Sequence, residues 1–392
     1  MVSITMNKTA LNLQSQQQIV SRIQRYRDFI ENEFIQGLYR YDEYSLEALK
    51  EELKQKIQSK QFNKLVFTGM GCSAIVSDLI KGFFISENIP IEVDVINDYD
   101  LDYLISKSTL KSDSTLVIIS SYSGYSQEPI HAYNAIKQFT NNIIFLTSGG
   151  NLEMIGREEN VSIIHWRLKN PDREYPLFHV PQYFSILLDV FYRLGVLNSN
   201  YQDKLAETAR FLKQEFSEEK IAQAVEVAKQ LRDCEIVLLA TPKWYQTLLK
   251  IVKMHFNEIA MAPAHSNHFH EFCHSEVAIH NDPISKQAII LFKDEEDDYT
   301  EQKMRNLQKL LSTDIRENQK ISFVQIEMNH DNFFQQLFST LLFVHHVTYE
   351  LGKYYNVKSR DLISQAAQNQ WYSIDTIRQE QREGKQMVGI YD

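Results

Sequence analysis

The chain has 392 residues, of which 43% are hydrophobic and 23% charged, so it is typical of soluble globular proteins and long enough for two domains. Its net charge of −10 argues against a general nucleic-acid surface, which requires clustered lysine and arginine. We find no run long enough to span a bilayer and no secretory signal pattern, and therefore expect a cytoplasmic protein without a membrane partner. Cys72, Cys234 and Cys273 fit neither a disulfide framework nor a Cys-x-x-Cys metal site.

The first segment, residues 1–60, is predicted to be helical and to pack on the first domain. Apolar residues recur at helical spacing from Ile19 through Ile30 to Phe34. The charged stretch 47–60 also has leucine and isoleucine three to four residues apart. No residue in this segment suggests chemistry.

Residues 61–200 are predicted to form a doubly wound α/β domain. The apolar run 64–68 ends in a glycine turn and is followed by helical spacing, which is the usual beginning of such a domain. Further apolar runs separated by helical stretches predict a mainly parallel sheet that is covered on both faces. These strand predictions are 91–96, 115–120, 142–147 and 161–166, and a helix is predicted over 181–197.

The second half of the chain repeats this plan without repeating a motif. The charged helical stretch 201–233 is predicted to link the domains, and residues 234–392 to form a second α/β domain with a C-terminal helix and a polar tail. The acidic run 295–298 is interpreted as the solvated start of a helix, where negative charge suits the helix dipole. Strands are predicted at 234–240, 288–292 and 321–327, and an amphipathic helix at 333–355.

Two loops that follow strands could bind an anion. The first has Gly69, Gly71 and Ser73, and it formally satisfies a dinucleotide-binding pattern, with Glu92 and Asp94 about twenty residues further on as ribose-binding acids. The same geometry, with free N–H groups at a helix N-terminus, suits a single phosphate equally well.

The second loop is dense in hydroxyl groups and leads into a predicted helix. Ser121, Tyr122, Ser123, Gly124 and Ser126 follow the strand at 115–120. Such a loop directs several neutral donors at one anion, whereas an ordinary serine-rich turn with a helix cap is the alternative.

The segment 255–276 concentrates ionisable residues in one place. Glu258 lies in an apolar run, and histidines and two further acids follow it. A carboxylate near apolar neighbours and an imidazole both titrate in the range that acid–base catalysis needs. On its own, Glu258 could equally be a surface acid of an amphipathic helix.

The histidines of this segment allow two interpretations. His265, His268 and His270 could form a metal cluster with His274 or Glu271, since imidazoles favour zinc and similar ions. Their spacing follows no known zinc pattern, so we expect no metal and interpret the histidines as a loop that is solvated or near the substrate entrance. No cofactor is expected.

Together, these motifs resemble the sugar isomerase (SIS) domain proteins, and among them the bifunctional phosphoglucose/phosphomannose isomerases. The turn at 69–73 resembles the family's Gly-Met-Gly-Gly-Ser loop, and 121–129 resembles its phosphate loop, Ser-Tyr-Ser-Gly-Asn-Thr-Glu-Glu-Thr. Segments 257–264 and 271–277 resemble the catalytic motifs Asn-Glu-Asn-Ala-Lys-x-Pro-Ala and Glu-Leu-Asn-His-Asn-Glu-Ile. The resemblance covers nearly the whole chain and implies two flavodoxin-like SIS domains.

The resemblance also implies an aldose–ketose isomerase that acts on a sugar phosphate. Glu258 would move a proton between C2 and C1 through an enediolate, and His274 would assist ring opening. In this family the histidine commonly reaches the site from the neighbouring subunit, which implies a homodimer. The phosphate would bind Ser73, Ser121, Ser123 and Ser126, supported by Gly69, Gly71, Tyr122 and Gly124.

The chain departs from the family pattern at several positions. It has Pro181-Gln182 where family members carry Pro-Arg, and Arg173 is a substitute by position alone. Met261 replaces a lysine and Cys72 a glycine, and Pro129 stands in place of the last threonine of the phosphate loop. A cation near an enediolate contributes on the order of a few kcal/mol, so these changes leave other functions open. The alternatives are an aminosugar-phosphate isomerase or deglycase, a non-catalytic sugar-phosphate sensor and, more remotely, a nicotinamide-dependent dehydrogenase.

Overall fold

A computed structural model of the chain describes residues 30–168, 176–281, 283, 285–312 and 321–357. Its N-terminal part is helical as predicted, with a π-helical turn at Ile30–Ile35, a 3₁₀ turn at Gln36–Tyr39 and helix α1 at Glu51–Gln58. A short strand between them, β1 (Tyr44–Ser45), has no sequence signal. The predicted helical spacing around Ile19 lies outside the described residues.

A mainly parallel sheet organises the first half of the described chain. Its strand order is β1-β6-β5-β4-β2-β3, and only the β1–β6 pair is antiparallel. Without β1 this is the flavodoxin-like order, in which the chain reverses direction across the sheet between β2 and β4. The remaining strands are β2 (Lys64–Thr68), β3 (Glu92–Ile96), β4 (Thr115–Ser120), β5 (Ile143–Thr147) and β6 (Ser162–Trp166).

Helices cover both faces of this sheet, as the continuous apolar strands require. The first follows β2 directly, and the last begins with a 3₁₀ turn at Pro176–His179. In chain order they are α2 (Cys72–Ser86), α3 (Leu101–Leu104), α4 (Lys107–Leu110), α5 (Gln127–Ile136), α6 (Gly150–Glu158) and α7 (Val180–Arg193).

The second half has a smaller sheet with the same winding. After α8 (Gln202–Glu215) and α9 (Glu218–Gln230), four parallel strands of the described chain follow in the order β10-β9-β7-β8. The prediction of two flavodoxin-like α/β units with mainly parallel sheets is therefore confirmed. These strands are β7 (Glu235–Ala240), β8 (Ala264–His268), β9 (Gln287–Lys293) and β10 (Ile321–Glu327).

A long helical stretch, α10, follows β7 and has two π-helical turns. It begins at Pro242–Trp244 and continues through Tyr245–Leu249 and Lys250–Met254 to His255–Ile259. The remaining helices are α11 (Phe269–Phe272), α12 (Asp298–Ser312) and α13 (Phe333–Tyr354), with a 3₁₀ turn at Glu276–Asn281.

Helix α13 differs from its prediction. It was expected to be amphipathic, but its side chains are buried on nearly every side. The reason is its position, because α8, α9, α10 and the N-terminal turns all surround it. No helix of the described residues has the length and apolar character to cross a membrane.

One hydrophobic core joins the two halves. Phe83 of α2 contacts Phe184 of α7 and Phe334 of α13, with ring centroids 6.0 Å and 5.4 Å apart. The buried residues around them come from both sheets and from the N-terminal turns. The position of α10 relative to the first sheet is therefore set by tertiary packing.

Candidate active site

A cavity of about 420 Å³ lies where β2 and β4 diverge at their carboxyl ends. This is the topological switch point of the sheet, where ligands bind in open α/β folds. The four serines predicted to bind phosphate all line the cavity, together with Gly71 and Tyr122. Those serines are Ser73, Ser121, Ser123 and Ser126.

The first loop turns sharply between β2 and α2. Gly71 has φ +58° and ψ −138°, a conformation open to glycine but costly for other residues. A Cβ on Gly69 would lie 2.9 Å from the carbonyl oxygen of Ser120, so the two loops approach closely there. The hydroxyl of Ser73 accepts a hydrogen bond from the Tyr122 N–H at 3.2 Å, which ties the first loop to the second.

Backbone and side-chain hydrogen bonds from the residues that follow β5 stabilise the second loop. The Tyr122 carbonyl accepts from the Ser148 N–H and hydroxyl, at 2.9 Å and 2.7 Å. Gly124 has φ +67° and packs against Gly149, and its carbonyl accepts from the Leu152 N–H at 2.9 Å. Helix α5 begins at the next residues, so the loop delivers its hydroxyl groups at a helix N-terminus.

Glu258 lies in the last π-helical turn of α10 and is half-buried. Burial raises the pKa of its carboxyl group, which suits a residue that must take up and return a proton. Burial also raises the pKa of the Cys72 thiol, and the charge of Glu258 raises it further. Cys72 lines the cavity, whereas Glu258 is not among the lining residues.

His274 lies elsewhere on the same chain. It is exposed in the turn after α11 and does not line the cavity. Burial and the charge of Lys303 lower the pKa of His270, and His268 and His274 contribute more weakly. Within one chain the described structure therefore does not bring His274 beside the phosphate loops.

The interpretation of the histidine segment as a loop is wrong. Residues 264–268 form β8, which pairs in parallel with β7. At its start, the Asn257 side chain accepts a hydrogen bond from the Ala264 N–H at 3.2 Å. His265 and His268 are on this strand. Among the described residues, no group of three or more histidine, cysteine or acidic side chains could hold a metal ion.

The dinucleotide alternative is also wrong about the two acids that were expected to bind ribose. Glu92 and Asp94 both pair with Lys64, at 2.8 Å and 2.7 Å, and neither lines the cavity. Glu92 begins β3, so it lies at the end of the sheet opposite the loops.

Sequence reasoning missed a different acid. Asp98 follows β3, is 2% exposed and lines the cavity, and its Oδ1 accepts from the Thr68 hydroxyl at 2.6 Å. Burial raises its pKa to about 6, a rise that the Thr68 hydrogen bond limits and nearby Glu128 increases. Its position directly after a strand was a usable signal, since the carboxyl ends of parallel strands meet at one edge.

Three further cavity residues were missed because they come from distant elements. Trp166 ends β6, and Tyr183 of α7 stacks on it with ring centroids 4.2 Å apart. Tyr183 also hydrogen-bonds the hydroxyl of Ser120. His179 lines the cavity from the 3₁₀ turn before α7. Arg173, the substitute cation, lies outside the described residues.

Within the described part of the chain, acids and not hydroxyl-rich loops stand at the switch point of the second sheet. There, Asp294 follows β9 and accepts from the Lys243 ammonium at 2.6 Å and from the Trp244 indole at 2.8 Å. The Glu296 carboxylate accepts from the Thr241 hydroxyl. This acidic, internally bonded cluster is the predicted helix start, and its charge opposes a phosphate.

Comparison with known proteins identifies the domain type. Residues 220–362 match the family model of the bacterial phospho-glucose isomerase C-terminal SIS domain. This part of the chain is therefore similar to a SIS domain. The resemblance that the two loops and the Glu258 segment suggested is thereby confirmed.

Two curated relatives that this chain resembles are each named bifunctional phosphoglucose/phosphomannose isomerase. The relative from Caldicellulosiruptor bescii is 29% identical over 252 residues, which are 62% of this chain and 70% of the relative. The relative from Thermoplasma acidophilum is 24% identical over 324 residues, which are 81% of this chain and 93% of the relative.

Solved structures share the SIS fold at low sequence identity. The C-terminal domain of glucosamine-fructose-6-phosphate aminotransferase from Francisella tularensis matches with a TM-score of 0.60 and 11% identity, covering 86% of this chain and 96% of that one. Tagatose-6-phosphate ketose/aldose isomerase from Escherichia coli matches with a TM-score of 0.59 and 16% identity, covering 85% and 92%. These likenesses establish the fold alone.

Proposed function

We propose that this protein is a phosphosugar aldose–ketose isomerase that interconverts fructose 6-phosphate with glucose 6-phosphate, mannose 6-phosphate or both. The observation that carries the proposal is the serine-lined cavity at the switch point of the first sheet. The charge of Glu258 acts on Cys72, one of the lining residues, which supports a position of this carboxylate near the cavity. The names of the curated relatives support the same reaction class.

The serine loops would bind the phosphate with neutral donors. Ser121, Ser123 and Ser126 offer hydroxyl groups, and the N–H groups of Gln127 and Glu128 lie in the first turn of α5, where N–H groups lack helical partners. Pro129 has no N–H to offer, which limits the helix to those two donors. Ser73 would act from the start of α2.

Glu258 would act as base and then as acid. Its carboxylate removes the proton from one carbon, the C–H electron pair forms the enediolate double bond, and the carbonyl oxygen becomes anionic. The same proton then returns to the neighbouring carbon while the hydroxyl proton is transferred to the anionic oxygen, so that the carbonyl and hydroxyl groups exchange carbons. A raised pKa helps the second step, because it makes the protonated carboxyl easier to form at neutral pH.

Replacing Glu258 tests this role. We expect Glu258→Gln to lower kcat for fructose 6-phosphate by about 10²- to 10⁴-fold, because it removes the group that transfers the proton. Binding of inorganic phosphate, measured by calorimetry, should be unchanged. Glu226→Gln, which removes an exposed carboxylate of α9, is the control and should keep full activity. Unchanged turnover in Glu258→Gln would leave a non-catalytic sugar-phosphate sensor as the better explanation.

A homodimer with a shared site is part of the proposal. The exposed position of His274, away from the cavity of its own chain, is compatible with a role in the site of a partner subunit. Mixing Glu258→Gln with His274→Asn subunits should then restore roughly a quarter of wild-type activity, because half of the dimers would have one intact site. Separate inactive homodimers and no recovery after mixing would contradict the shared site.

An aminosugar phosphate is the second candidate substrate. Asp98 and Glu128 both line the cavity, and two carboxylates favour an ammonium group there. Incubation with fructose 6-phosphate and with glucosamine 6-phosphate, followed by measurement of which is consumed and whether ammonia is released, separates isomerase from deglycase chemistry.

We also propose a cytoplasmic location. The three cysteines are free, as expected for a reducing compartment, and sugar phosphates are intracellular metabolites. Fractionation of cells that produce the full chain tests this location directly.

A further inference from the structure

The cavity has an unusual balance of charge for a phosphosugar site. Asp98 and Glu128 are acids, and among the described lining residues His179 is the one side chain that can become a cation. An enediolate is itself an anion, so chemistry in this cavity requires positive charge near the reacting carbons.

His179 is fixed by its surroundings. It is 2% exposed, and its Nδ1 lies 3.7 Å from the Glu33 carboxylate, which is 1% exposed. Arg40 pairs with the same carboxylate at 3.1 Å. The preceding residue, Phe178, stacks on His345 of α13 with ring centroids 4.6 Å apart, which holds the turn in place.

The neighbouring polar residue of α7 does not fill this role. Gln182, at the position of the family arginine, is fully buried and donates to the Arg167 carbonyl at 3.0 Å. It does not line the cavity, whereas His179, Val180 and Tyr183 do. The start of α7 therefore presents a histidine to the cavity in this chain.

We propose that His179, protonated and oriented by Glu33, stabilises the enediolate oxygen that forms when Glu258 removes the substrate proton. This inference rests on the proposed function. The imidazolium holds its proton at the start and end of the reaction, so the step needs no oxidant or reductant. His179 would contact the substrate, and Glu33 would be a positioning residue.

Charged and titratable groups face His179 from the N-terminal turn, from α13 and from the cavity. Glu33 faces it from the N-terminal turn with Arg40 behind, and burial lowers the pKa of His345 so far that this neighbour stays neutral. The groups on the cavity side are Cys72, Asp98, Tyr122, Glu128 and Tyr183. The thiol and the two phenols are uncharged near neutral pH, so the carboxylates dominate the local field.

A binding experiment with substrate analogues tests the positive charge of His179 independently of catalysis. Arabinonate 5-phosphate has a carboxylate where the enediolate has its charge, and arabinitol 5-phosphate has a neutral hydroxyl group there. By calorimetry at pH 6.5 we expect the folded wild-type protein to bind the acid at least about tenfold more tightly than the alcohol. His179→Gln should remove that preference and keep the affinity for the alcohol. The control is His131→Gln, which changes an exposed histidine of α5 and should keep the preference.

Kinetics provide the second test. We expect His179→Gln to lower kcat about 10²- to 10³-fold with a much smaller change in KM. Wild-type kcat should fall as pH rises, because the imidazolium of His179 loses its proton. This alkaline limb of the kcat–pH profile should be absent in His179→Gln. In Glu33→Gln the limb should move to lower pH, because the imidazolium loses its carboxylate partner.

The outcomes separate the two proposals. If wild-type protein prefers the sugar acid and His179→Gln does not, yet no sugar phosphate is isomerised, the proposed function fails and the cation assignment stands. If His179→Gln is folded by circular dichroism and keeps the preference for the acid, the cation assignment is overturned even where isomerisation is observed.

Discussion

At the scale of single residues, burial is the main cause of the properties of Glu258. Burial raises the pKa of its carboxyl group, and Cys72, on which its charge acts, stands where the family has glycine. We therefore expect the side chain of Cys72 to help exclude water from this carboxyl group.

The variant Cys72→Gly should show this effect. Because the smaller residue admits water next to Glu258, the pKa of the carboxyl should fall, and the acidic limb of the kcat/KM profile should move to lower pH. Cys234→Ala, at a buried position away from the cavity, is the control. A limb that stays in place in Cys72→Gly would mean that other groups keep Glu258 dry.

Gly124 is the residue on which the shape of the phosphate loop depends. At φ +67°, an added Cβ would lie 2.8 Å from the Thr147 hydroxyl and even closer to the Gly149 carbonyl. We expect Gly124→Ala to abolish phosphate binding in calorimetry. Gly195→Ala has a similar φ of +79°, but its Cβ would lie 3.9 Å from the nearest atom. It should cost about 1–2 kcal/mol of stability and leave phosphate binding unchanged.

At the scale of elements, helix α10 connects the two domains. Its π-helical turn at Tyr245–Leu249 packs against α2, and Gly82 of α2 lies directly beneath Thr247. A Cβ on Gly82 would lie 2.9 Å from the Thr247 Cβ, so the two helices meet without space for another atom. Glu258 lies in the last turn of the same helix, so this contact helps to set the position of its carboxylate.

Gly82→Ala should therefore act on catalysis from a distance. We expect kcat to fall, because α10 is displaced, while phosphate binding in the loops of the first domain is retained. Thr247→Gly in the same chain should restore most of the activity, since it removes the atoms that the new Cβ meets. If the double variant is no better than Gly82→Ala alone, the helix contact is not what positions Glu258.

At the scale of the whole molecule, a shared core with buried histidines joins the halves. The His255 Nδ1–H lies 2.7 Å from the Ile251 carbonyl, so its Nε2 accepts from His345 Nε2 at 2.9 Å. Burial lowers the pKa of His255 to about 4 from its ordinary value of 6.5. Both rings are therefore neutral in the folded protein at neutral pH.

This pair predicts a loss of stability in acid. The unfolded chain takes up a proton at His255 near pH 6.5 and the folded chain near pH 4, so the free energy of unfolding should fall as pH drops through that window. The contribution of His255 is roughly 3 kcal/mol. Urea unfolding at several pH values should show a shallower slope in His255→Leu than in wild type. His131→Asn, at an exposed position, should leave the slope unchanged.

The amino-acid sequence determined much of the fold because local patterns report local structure. Apolar runs such as Lys64–Thr68 and Thr115–Ser120 became the strands that they predicted, since a strand buried on both faces must be continuously apolar. Strand β8 was missed because its sequence, Ala-His-Ser-Asn-His, is polar, and its pairing with β7 comes from tertiary structure.

The candidate site also has parts that the local sequence predicts and parts that only the tertiary structure determines. The glycine turns and serine loops could be found from sequence, because their conformations and donors are local. Trp166, His179 and Tyr183 could not, since they converge on the cavity from three elements whose arrangement depends on the order of strands in the sheet. Sequence alone thus determined which loops could bind an anion. Tertiary packing decided which side chains surround that anion, because burial and neighbouring charge are properties of the folded chain.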